Sequence, residues 1–179
     1  MKKIKISILL LIGIVGLTYG VSQLWKADNN SSVSWEIDNG SKKGTFEKFS
    51  TELIFDESNL SKSSLSATID VNSIKAGNEE LEAHLKTSDF FEVDKFPNIS
   101  FKSTNLKKEG EAYVAEGNLT IKEVTKAVLI PFSFKKIDDN KAEFYGSFTI
   151  NASEYGVMKK PKTEGKDKVS ISIKVPVIK

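Results

Sequence analysis

The residue most capable of acid–base or metal chemistry in this chain is its single histidine, His84. A histidine base needs an orienting partner, and a zinc site takes several nitrogen or sulfur ligands. The sequence has no cysteine and no second histidine to supply them. We therefore interpret His84 as a structural residue at a helix end that hydrogen-bonds the backbone of the following loop, and we expect no metal and no cofactor.

Three carboxylates follow His84 closely, at Asp89, Glu92 and Asp94. Their spacing does not match the oxygen-rich loop of an EF-hand calcium site. Asp89 follows Ser88 where a second helical turn would begin, so a capping role explains it without chemistry. The sequence also has no G-x-S-x-G motif to mark a serine nucleophile. These residues do not predict an enzyme.

Large apolar side chains, in contrast, are concentrated just after the histidine. Residues 84–101 read HLKTSDFFEVDKFPNISF, and Phe90, Phe91 and Phe96 fall in a connection between a helix-like and a strand-like pattern. Aromatic rings in a connecting segment must be buried against the core or against a ligand. Interiors are normally close-packed, so composition alone leaves both possibilities open.

The elements that must position this loop are mainly β-strands. Apolar residues alternate with polar ones at the period of two that is typical of half-buried strands, and turn-forming residues separate the segments. One helix is predicted over residues 78–86, with Asn78 as its N-cap and with Leu81 and Leu85 facing inward. About eight strands are predicted: 35–37, 45–55, 65–71, 99–106, 113–121, 128–134, 144–150 and 169–177.

This pattern predicts a single all-β domain of antiparallel strands with one short helix. Eight such strands form either a sandwich, whose two inner faces fill the interior, or a closed barrel, which can hold one small ligand as lipocalins do. Alternation alone does not distinguish the two. The aromatic loop favours an eight-stranded, lipocalin-like barrel, because such a loop can line or cover the barrel mouth.

The N-terminus carries a targeting pattern. Three lysines within the first five residues precede residues 6–25, which contain no charge. A basic start before an apolar run of about 20 residues is typical of a signal peptide or an N-terminal membrane anchor. We predict a signal or anchor helix over residues 1–25, a linker over 26–33 and the barrel over 34–179. The domain is then exported to the periplasm or the outer face of the membrane, either released or anchored by residues 6–25.

The charge of the chain argues against a nucleic-acid partner. All 26 basic residues are lysine, and three of them lie in the predicted leader, so the remaining 23 are balanced by 24 acidic residues. Dispersed, balanced charge does not attract a phosphate backbone, and arginine, the residue best suited to bidentate phosphate contacts, is absent. A membrane surface stays a candidate partner, since the segment 158–166 is rich in lysine.

Several short motifs resemble the YceI family of exported lipid- and polyisoprenoid-binding proteins. HLKTSDFF at 84–91 and FPNISF at 96–101 are similar to the family's H-L-[KR]-S-x-D-F-F-D run and Y-P-x-I-x-F motif. Further similar motifs are Gly44-Thr45-Phe46, Ser73-Ile74, Gly117-Asn118-Leu119-Thr120 and Tyr155-Gly156. The chain departs from the family at Lys122 and Glu123, where a His-Gly pair is common. The resemblance implies a lipocalin-like barrel that carries or stores a long isoprenoid-type lipid and catalyses no reaction.

The resemblance also suggests which side chains meet the lipid. Ten apolar residues are candidates for the cavity wall: Phe49, Leu53, Leu85, Phe90, Phe91, Phe96, Phe101, Phe132, Phe134 and Phe148. Four motif residues are assigned structural roles: His84, Asp89, Pro97 and Gly156. The expected ligand is an isoprenoid-type lipid, polyprenyl or quinone-like, or another amphiphile. The alternative is a β module with a filled core that binds another envelope protein through its exposed loops, and the sequence names no such protein.

Overall fold

The structure, a computed structural model, describes residues 24–37, 40–159 and 165–179. The predicted leader before Leu24 lies outside these described residues. One helix, α1 (Glu79–Lys86), is found within them. The strands of the same ranges are β1 (Leu24–Ala27), β2 (Ser32–Ile37), β3 (Lys42–Phe46), β4 (Phe49–Ile54), β5 (Ser64–Asp70), β6 (Ile74–Lys75), β7 (Asn98–Glu109), β8 (Ala112–Ile121), β9 (Val124–Lys136), β10 (Lys141–Asn151) and β11 (Lys168–Ile178).

The strands close into one antiparallel barrel. Hydrogen bonds join β4 through β5, β7, β8, β9 and β10 to β11, and β1 closes the ring by pairing with both β11 and β4. Three barrel positions are each made of two short strands in succession: β1 with β2, β3 with β4, and β5 with β6. The structure therefore confirms the predicted eight-stranded antiparallel barrel with one helix, and the closed ring excludes the sandwich.

The barrel begins earlier in the chain than the sequence pattern predicts. β1 and the start of β2 occupy the segment 26–33, for which a linker is predicted. Trp25 in β1 is 2% exposed, and its indole Nε1 donates to the Phe55 carbonyl at 3.2 Å. The four residues of β1 are too few to show a period-two pattern beside an apolar leader. The barrel therefore includes Leu24–Ala27, upstream of the predicted boundary at residue 34.

The interior of the barrel divides into two apolar clusters. We call the first the filled half; its buried members are Trp25, Leu53, Phe55, Leu106, Tyr113, Ala115, Ile130, Phe132, Ala142, Phe144, Val175 and Val177. Phe55 contacts four other rings there, at centroid distances between 4.8 and 5.7 Å. The Tyr113 hydroxyl donates to the Glu57 carboxylate at 3.1 Å, and burial together with this carboxylate raises the pKa of Tyr113.

The second cluster, which we call the hollow half, lies at the other end of the barrel. Its buried members are Val33, Trp35, Phe46, Val71, Ile74, Ala76, Val93, Ile99, Leu119, Ile121, Ala152, Tyr155 and Val157. Phe49, Phe148 and Ile171 pack against this cluster, yet they are only partly buried. The helix α1, the loop that leads from it to β7, and the 3-10 turn Ala152–Tyr155 lie over this end and form its cover.

Candidate functional site: an apolar cavity in the barrel

The partly buried side chains of the hollow half surround an internal cavity of about 300 Å³. The strands supply most of its wall: Val33, Trp35, Ile37, Lys42, Phe46, Phe49, Thr51, Ala67, Ile69, Ile74, Ile99, Phe101, Leu119, Ile121, Ile130, Phe148, Ile150, Val169, Ile171 and Ile173. The cover supplies the rest: Leu81, His84, Leu85, Phe90, Phe91, Ala152, Val157 and Met158. This volume is at the lower end of the range of roughly 300–1,000 Å³ in which proteins hold small molecules.

Two strand glycines allow aromatic rings to lie flat along the wall of this cavity. The Trp35 ring lies over Gly44, where an added Cβ would meet its Cζ2 and Cε2 atoms at 2.6 and 2.8 Å. The Phe101 ring lies over Gly117 in the same way, with Cε2 at 2.6 Å from the Cβ position. An added Cβ would also meet a backbone carbonyl, that of Lys75 at 1.8 Å from the Gly44 position and that of Lys102 at 2.5 Å from the Gly117 position, so neither position has room for a side chain. Both glycines belong to the sequence motifs, and each leaves room for a ring to lie against the sheet.

The helix α1 forms one side of the cover as the sequence predicts. Asn78 caps it by accepting a hydrogen bond from the Leu81 N–H at 2.8 Å. Leu81 and Leu85 are one turn apart and both line the cavity. The predicted N-cap and inward face are therefore confirmed.

A carboxylate attaches this helix to the barrel. Glu82 accepts a hydrogen bond from the Ala76 N–H at 3.1 Å, and its other oxygen is 3.1 Å from the Lys75 ammonium group. The Ala76 N–H and the Lys75 ammonium hold the pKa of Glu82 below its ordinary value. The charged form of Glu82 is thus the form that holds α1 against β6.

Lys122, at the turn between β8 and β9, fastens the aromatic loop of the cover. Its ammonium group donates to the carbonyls of Phe90 and Gly156 at 3.0 and 3.1 Å, and lies 3.8 Å from the Glu92 carboxylate. The Lys122 side chain is only 11% exposed. Lys122 and Glu92 also have positive φ angles, 55° and 50°, which are uncommon for residues other than glycine. One lysine therefore joins three separate segments at the cavity end.

The structure brings together six of the ten predicted wall residues: Phe49, Leu85, Phe90, Phe91, Phe101 and Phe148. Leu53, Phe132 and Phe134 require correction, because they point inward but pack in the filled half. Strand alternation indicates which face of the sheet a residue occupies and gives no depth along the barrel. Phe96 also requires correction, since it lies away from the cavity wall, with its ring 5.8 Å from the Lys122 ammonium nitrogen.

Several wall residues are not singled out by the sequence analysis. They are aliphatic or aromatic residues of the same strand ladders: Val33, Trp35, Phe46, Ile69, Ile74, Ile99, Ile121, Ile150, Val169 and Ile171. Most of them are two or four residues from another wall residue on the same strand. Because side chains alternate between the two faces of a strand, this spacing could have identified them as inward-facing.

His84 and Asp89 act differently from their predicted roles. The His84 imidazole packs edge-on against Phe90 with centroids 4.9 Å apart. Its main-chain carbonyl, and not its ring, bonds the loop, accepting from the Thr87 N–H and hydroxyl at 3.1 and 2.8 Å. Asp89 caps no second helix, because α1 ends at Lys86; it is exposed in a turn that the Phe90 N–H closes onto the Thr87 carbonyl.

Pro97 and Gly156 contribute through their backbones. The Pro97 carbonyl accepts a hydrogen bond from the Val71 N–H at 2.8 Å, which ties the end of the aromatic loop to the barrel. Gly156 has a φ of 68° and ends the 3-10 turn Ala152–Tyr155, and its carbonyl is one of the two that accept from Lys122. Only glycine adopts that backbone conformation without strain.

The chemistry of the site is that of an apolar container. Among the residues that the structure describes, no three His, Asp or Glu side chains converge where they could hold a metal ion. No helix in residues 24–37, 40–159 and 165–179 is long and apolar enough to cross a membrane. The cavity offers a hydrophobic surface with few polar atoms, which suits a hydrophobic molecule.

A closed eight-stranded barrel that encloses an apolar cavity under a helix and an aromatic loop defines the class of lipocalin-like binding domains. Within that class the chain belongs to a particular family: the YceI-like domain model matches residues 25–177. This confirms the resemblance that the sequence motifs carry. It also agrees with a domain that begins at β1.

Two curated relatives illustrate the likeness in sequence. The chain is 40% identical over 87 residues to a UPF0312 protein of Photorhabdus laumondii and 41% identical over 87 residues to Protein YceI of Salmonella arizonae. Each match covers 49% of this chain and 45% or 46% of the relative. The chain thus spans about half the length of the curated relatives it matches.

Solved structures share the fold over more of the chain. BcnA of Burkholderia cenocepacia has a TM-score of 0.78 at 26% identity, covering 84% of this chain and 99% of that one. The YCEI protein of Campylobacter jejuni has a TM-score of 0.68 at 21% identity, covering 98% and 99%. A polyisoprenoid binding domain from Saccharophagus degradans has a TM-score of 0.64 at 10% identity, covering 87% and 97%.

Proposed function

We propose that this protein binds an isoprenoid-type lipid in the cavity of the hollow half, and stores or carries it without catalysing a reaction. The observation that supports this most is an apolar cavity inside a closed barrel of the YceI-like family. One structural neighbour is described as polyisoprenoid-binding, which supports the same class of ligand here. The wall chemistry is in accord with a hydrocarbon chain, since almost all of its side chains are apolar.

The energetics favour reversible binding over permanent capture. Moving a methylene group from water to an apolar site is worth about 0.8 kcal/mol. A bilayer offers a lipid tail a similar environment, so most of that gain cancels when the lipid comes from a membrane. Net affinity then depends on the fit of the wall and on contacts with its few polar atoms. Such a balance suits a carrier or a store.

The size of the cavity limits how a long chain is held. About 300 Å³ is small for a polyprenyl chain of many units. The remainder of such a chain must extend out of the cavity or must displace the cover. Displacing the cover would break the hydrogen bonds that Lys122 donates to the carbonyls of Phe90 and Gly156.

The place of action that we propose is outside the cytoplasm, in the periplasm or on the outer face of the membrane. The support for this is the pattern of residues 1–25, a basic start followed by an uncharged run. A membrane surface is the natural source and destination of the ligand. Export, anchoring and membrane contact therefore form one part of the proposal, and they rest on the sequence pattern.

A second candidate function, a β module that binds a protein of the envelope, is favoured by one observation. The filled half is packed with aromatic rings that contact one another. However, a module that needs only a filled core gives no reason for the wall and cover of the hollow half. Lipid binding accounts for both halves, so we prefer it.

The test is mass spectrometry of organic extracts of the protein purified gently from its native host. We expect a near-stoichiometric isoprenoid-type species in the wild type and its loss in Ala67→Phe, which fills the cavity wall. Ala127→Phe places the same ring on the exposed face of β9 and serves as the matched control. Wild-type protein that carries no lipid and takes up no added isoprenoid would overturn the proposal. Equal lipid content in Ala67→Phe would place the lipid elsewhere.

A further inference from the structure

The wall of the barrel is hydrogen-bonded unevenly between β9 and β10. Their pairing stops after five pairs, where Gly146 lies opposite Phe132. In contrast, β10 pairs with β11 along all 11 of its residues, and β9 pairs with β8 from its first residue onward. Among the described residues, 124–131 of β9 and 147–151 of β10 therefore form no ladder pair with each other. We call these two stretches the seam.

A proline accounts for the point at which the pairing ends. Pro131 directly precedes Phe132 in β9 and has no backbone N–H to donate. Its carbonyl oxygen lies on the β10 side, 3.3 Å from the position that a Cβ on Gly146 would occupy. The N–H and C=O of one strand residue point to the same side, so the missing donor is also on that side. Proline in a sheet normally turns this side away from any partner strand.

The seam lies in the hollow half and borders the cavity. Ile130 on its β9 side and Phe148 and Ile150 on its β10 side all line the cavity, and the latter two are only partly buried. On the outer face of β9 the seam carries Ala127 and Leu129, which are both exposed, Leu129 at 60%. Apolar side chains therefore lie on both faces of the wall at the seam, and they offer a hydrocarbon chain contacts inside and outside the barrel.

An ion pair bridges the seam at its cover end. The Lys126 ammonium group of β9 is 2.6 Å from one carboxylate oxygen of Glu154, in the 3-10 turn that follows β10. The two side chains are 38% and 48% exposed, and ion pairs this exposed contribute little to stability. Parting the strands at the seam breaks no hydrogen bond of the ladder. Displacing the cover, in contrast, breaks the hydrogen bonds that Lys122 donates.

We propose that the part of a long lipid chain that exceeds the cavity leaves the barrel sideways through the seam, between Ile130 and Phe148, and lies over Leu129 on the outer face. This proposal rests on the lipid-binding function proposed above, and it narrows the ligand to a chain longer than the cavity. About 300 Å³ holds only part of such a chain. Exit at the seam leaves α1, the aromatic loop and the contacts of Lys122 in place.

The first experiment locates the emerging chain on the ¹⁵N-labelled wild-type protein. The probes are two forms of solanesol, a long prenol, with a nitroxide spin label either at the hydroxyl end or at the opposite end of the chain. A nitroxide broadens the amide signals of residues near it. We expect one of the two probes to broaden residues 126–131 and 147–151 more than the loop 87–97. Broadening that is strongest in that loop with both probes, or that singles out neither site, would overturn the inference.

A disulfide across the seam tests the same point through affinity. The chain has no cysteine, so an introduced pair meets no competing thiol. Continuing the register of the paired part places Leu129 opposite Thr149, and both side chains are exposed. In Leu129→Cys with Thr149→Cys, a disulfide would hold the two Cα atoms about 4.4–6.8 Å apart and so keep the strands together. Oxidation of this variant should lower its affinity for solanesol about tenfold and leave its affinity for farnesol, a short prenol, unchanged.

The matched control is a disulfide in the paired part of the same two strands. Ser133 and Tyr145 lie opposite each other there and are both exposed, so oxidation of Ser133→Cys with Tyr145→Cys should change neither affinity. Equal affinity of the oxidised and reduced seam variants for solanesol would overturn the inference. If the seam disulfide does not form, the broadening pattern of the wild type decides alone.

The outcomes separate this inference from the function on which it rests. Binding of farnesol without binding of solanesol would overturn the inference and leave lipid binding intact, because the cavity would then admit short chains only. Binding of neither prenol would overturn the proposed function itself.

Discussion

The two halves of the barrel interior are built from the same strands, yet only one of them is filled. In the filled half the rings point at one another, and Phe55 at their centre is 1% exposed and contacts four others. In the hollow half the Trp35 ring lies over Gly44 and the Phe101 ring over Gly117, and Phe46 meets Phe91 at a longer centroid distance of 6.3 Å. Both halves contain aromatic rings, so in this barrel the packing of the rings, and not their presence, distinguishes the two halves.

The two ends of the barrel therefore contribute differently to stability and to binding. Close packing of ring against ring stabilises the filled half. The hollow half gives up such contacts, and it is covered by a helix and a loop that single side chains, Glu82 and Lys122, attach to the barrel. Regions that bind ligands commonly come from the less stable part of a fold. The comparison can be tested by making the same change at both ends.

The largest difference is expected from removing a ring. Phe55→Ala leaves a cavity among four rings and should lower the free energy of unfolding by about 3–5 kcal/mol. Phe148→Ala removes a ring that already faces the cavity, so its cost should be half of that or less. Urea unfolding followed by circular dichroism measures both. Equal costs would show that the hollow half is packed as tightly as the filled half in solution.

Adding volume should also cost more in the filled half than in the hollow half. Ala142 in the filled half is 1% exposed, so Ala142→Leu should overpack it and cost about 1–3 kcal/mol. Ala67 lines the cavity, and Ala67→Leu should leave the free energy of unfolding nearly unchanged because the new side chain enters open space. The same unfolding measurement compares them. A large cost for Ala67→Leu would contradict an open lumen at that wall.

Removing the lysine of the cover should have a smaller and more local effect. Lys122→Met leaves the Phe90 and Gly156 carbonyls without their donor and should cost about 1 kcal/mol. Amide hydrogen exchange should quicken in the aromatic loop while β10 and β11 are unaffected. Lys107→Met is the control near the filled end, where an exposed lysine pairs with Glu109 and Glu116 and its loss should change little. Faster exchange throughout the barrel would argue against a local fastening.

The smallest effect concerns pH. Since the pKa of Glu82 is lowered in the folded protein, the unfolded state binds its proton first as pH falls. The contribution of Glu82 is therefore present above the ordinary glutamate value of about 4.3, and it is lost as pH falls through the lower folded value. The urea midpoints of wild type and Glu82→Gln should converge as pH falls from the ordinary glutamate value through the lower folded value. A gap that stays constant would show that the charge of Glu82 is not what holds α1.

The sequence is sufficient for the fold and for part of the site. Alternation revealed the eight barrel positions, and Asn78, Leu81 and Leu85 marked the helix and its inner face. Alternation also predicted correctly that Phe132 and Phe134 face inward. Their depth along the barrel depends on which residues they pair with across β8 and β10. That register is a property of the assembled sheet, and a single strand does not encode it.

Two other features escape sequence patterns for related reasons. β1 is four residues long and follows an apolar run, so no change in hydropathy marks where it begins. The unpaired state of Trp35 Nε1 and Thr51 Oγ1 depends on every neighbour around them. Residue type shows that these atoms can form hydrogen bonds, and only the packed barrel shows that no protein group meets them.

The direction in which the chain enters the barrel has a consequence for orientation. Leu24 lies next to Ile54 at the filled end, beyond the last residue of β11, whereas the start of β11 lies at the end that the cover occupies. β11 has 11 residues, which at ~3.3 Å each make a strand about 35 Å long between the two ends. Any support attached upstream of Leu24 would hold the barrel at its filled end, with the cavity and its cover at the opposite end. If residues 6–25 anchor the protein in the membrane that supplies the lipid, as proposed above, that lipid has to travel about one strand length to reach the cavity.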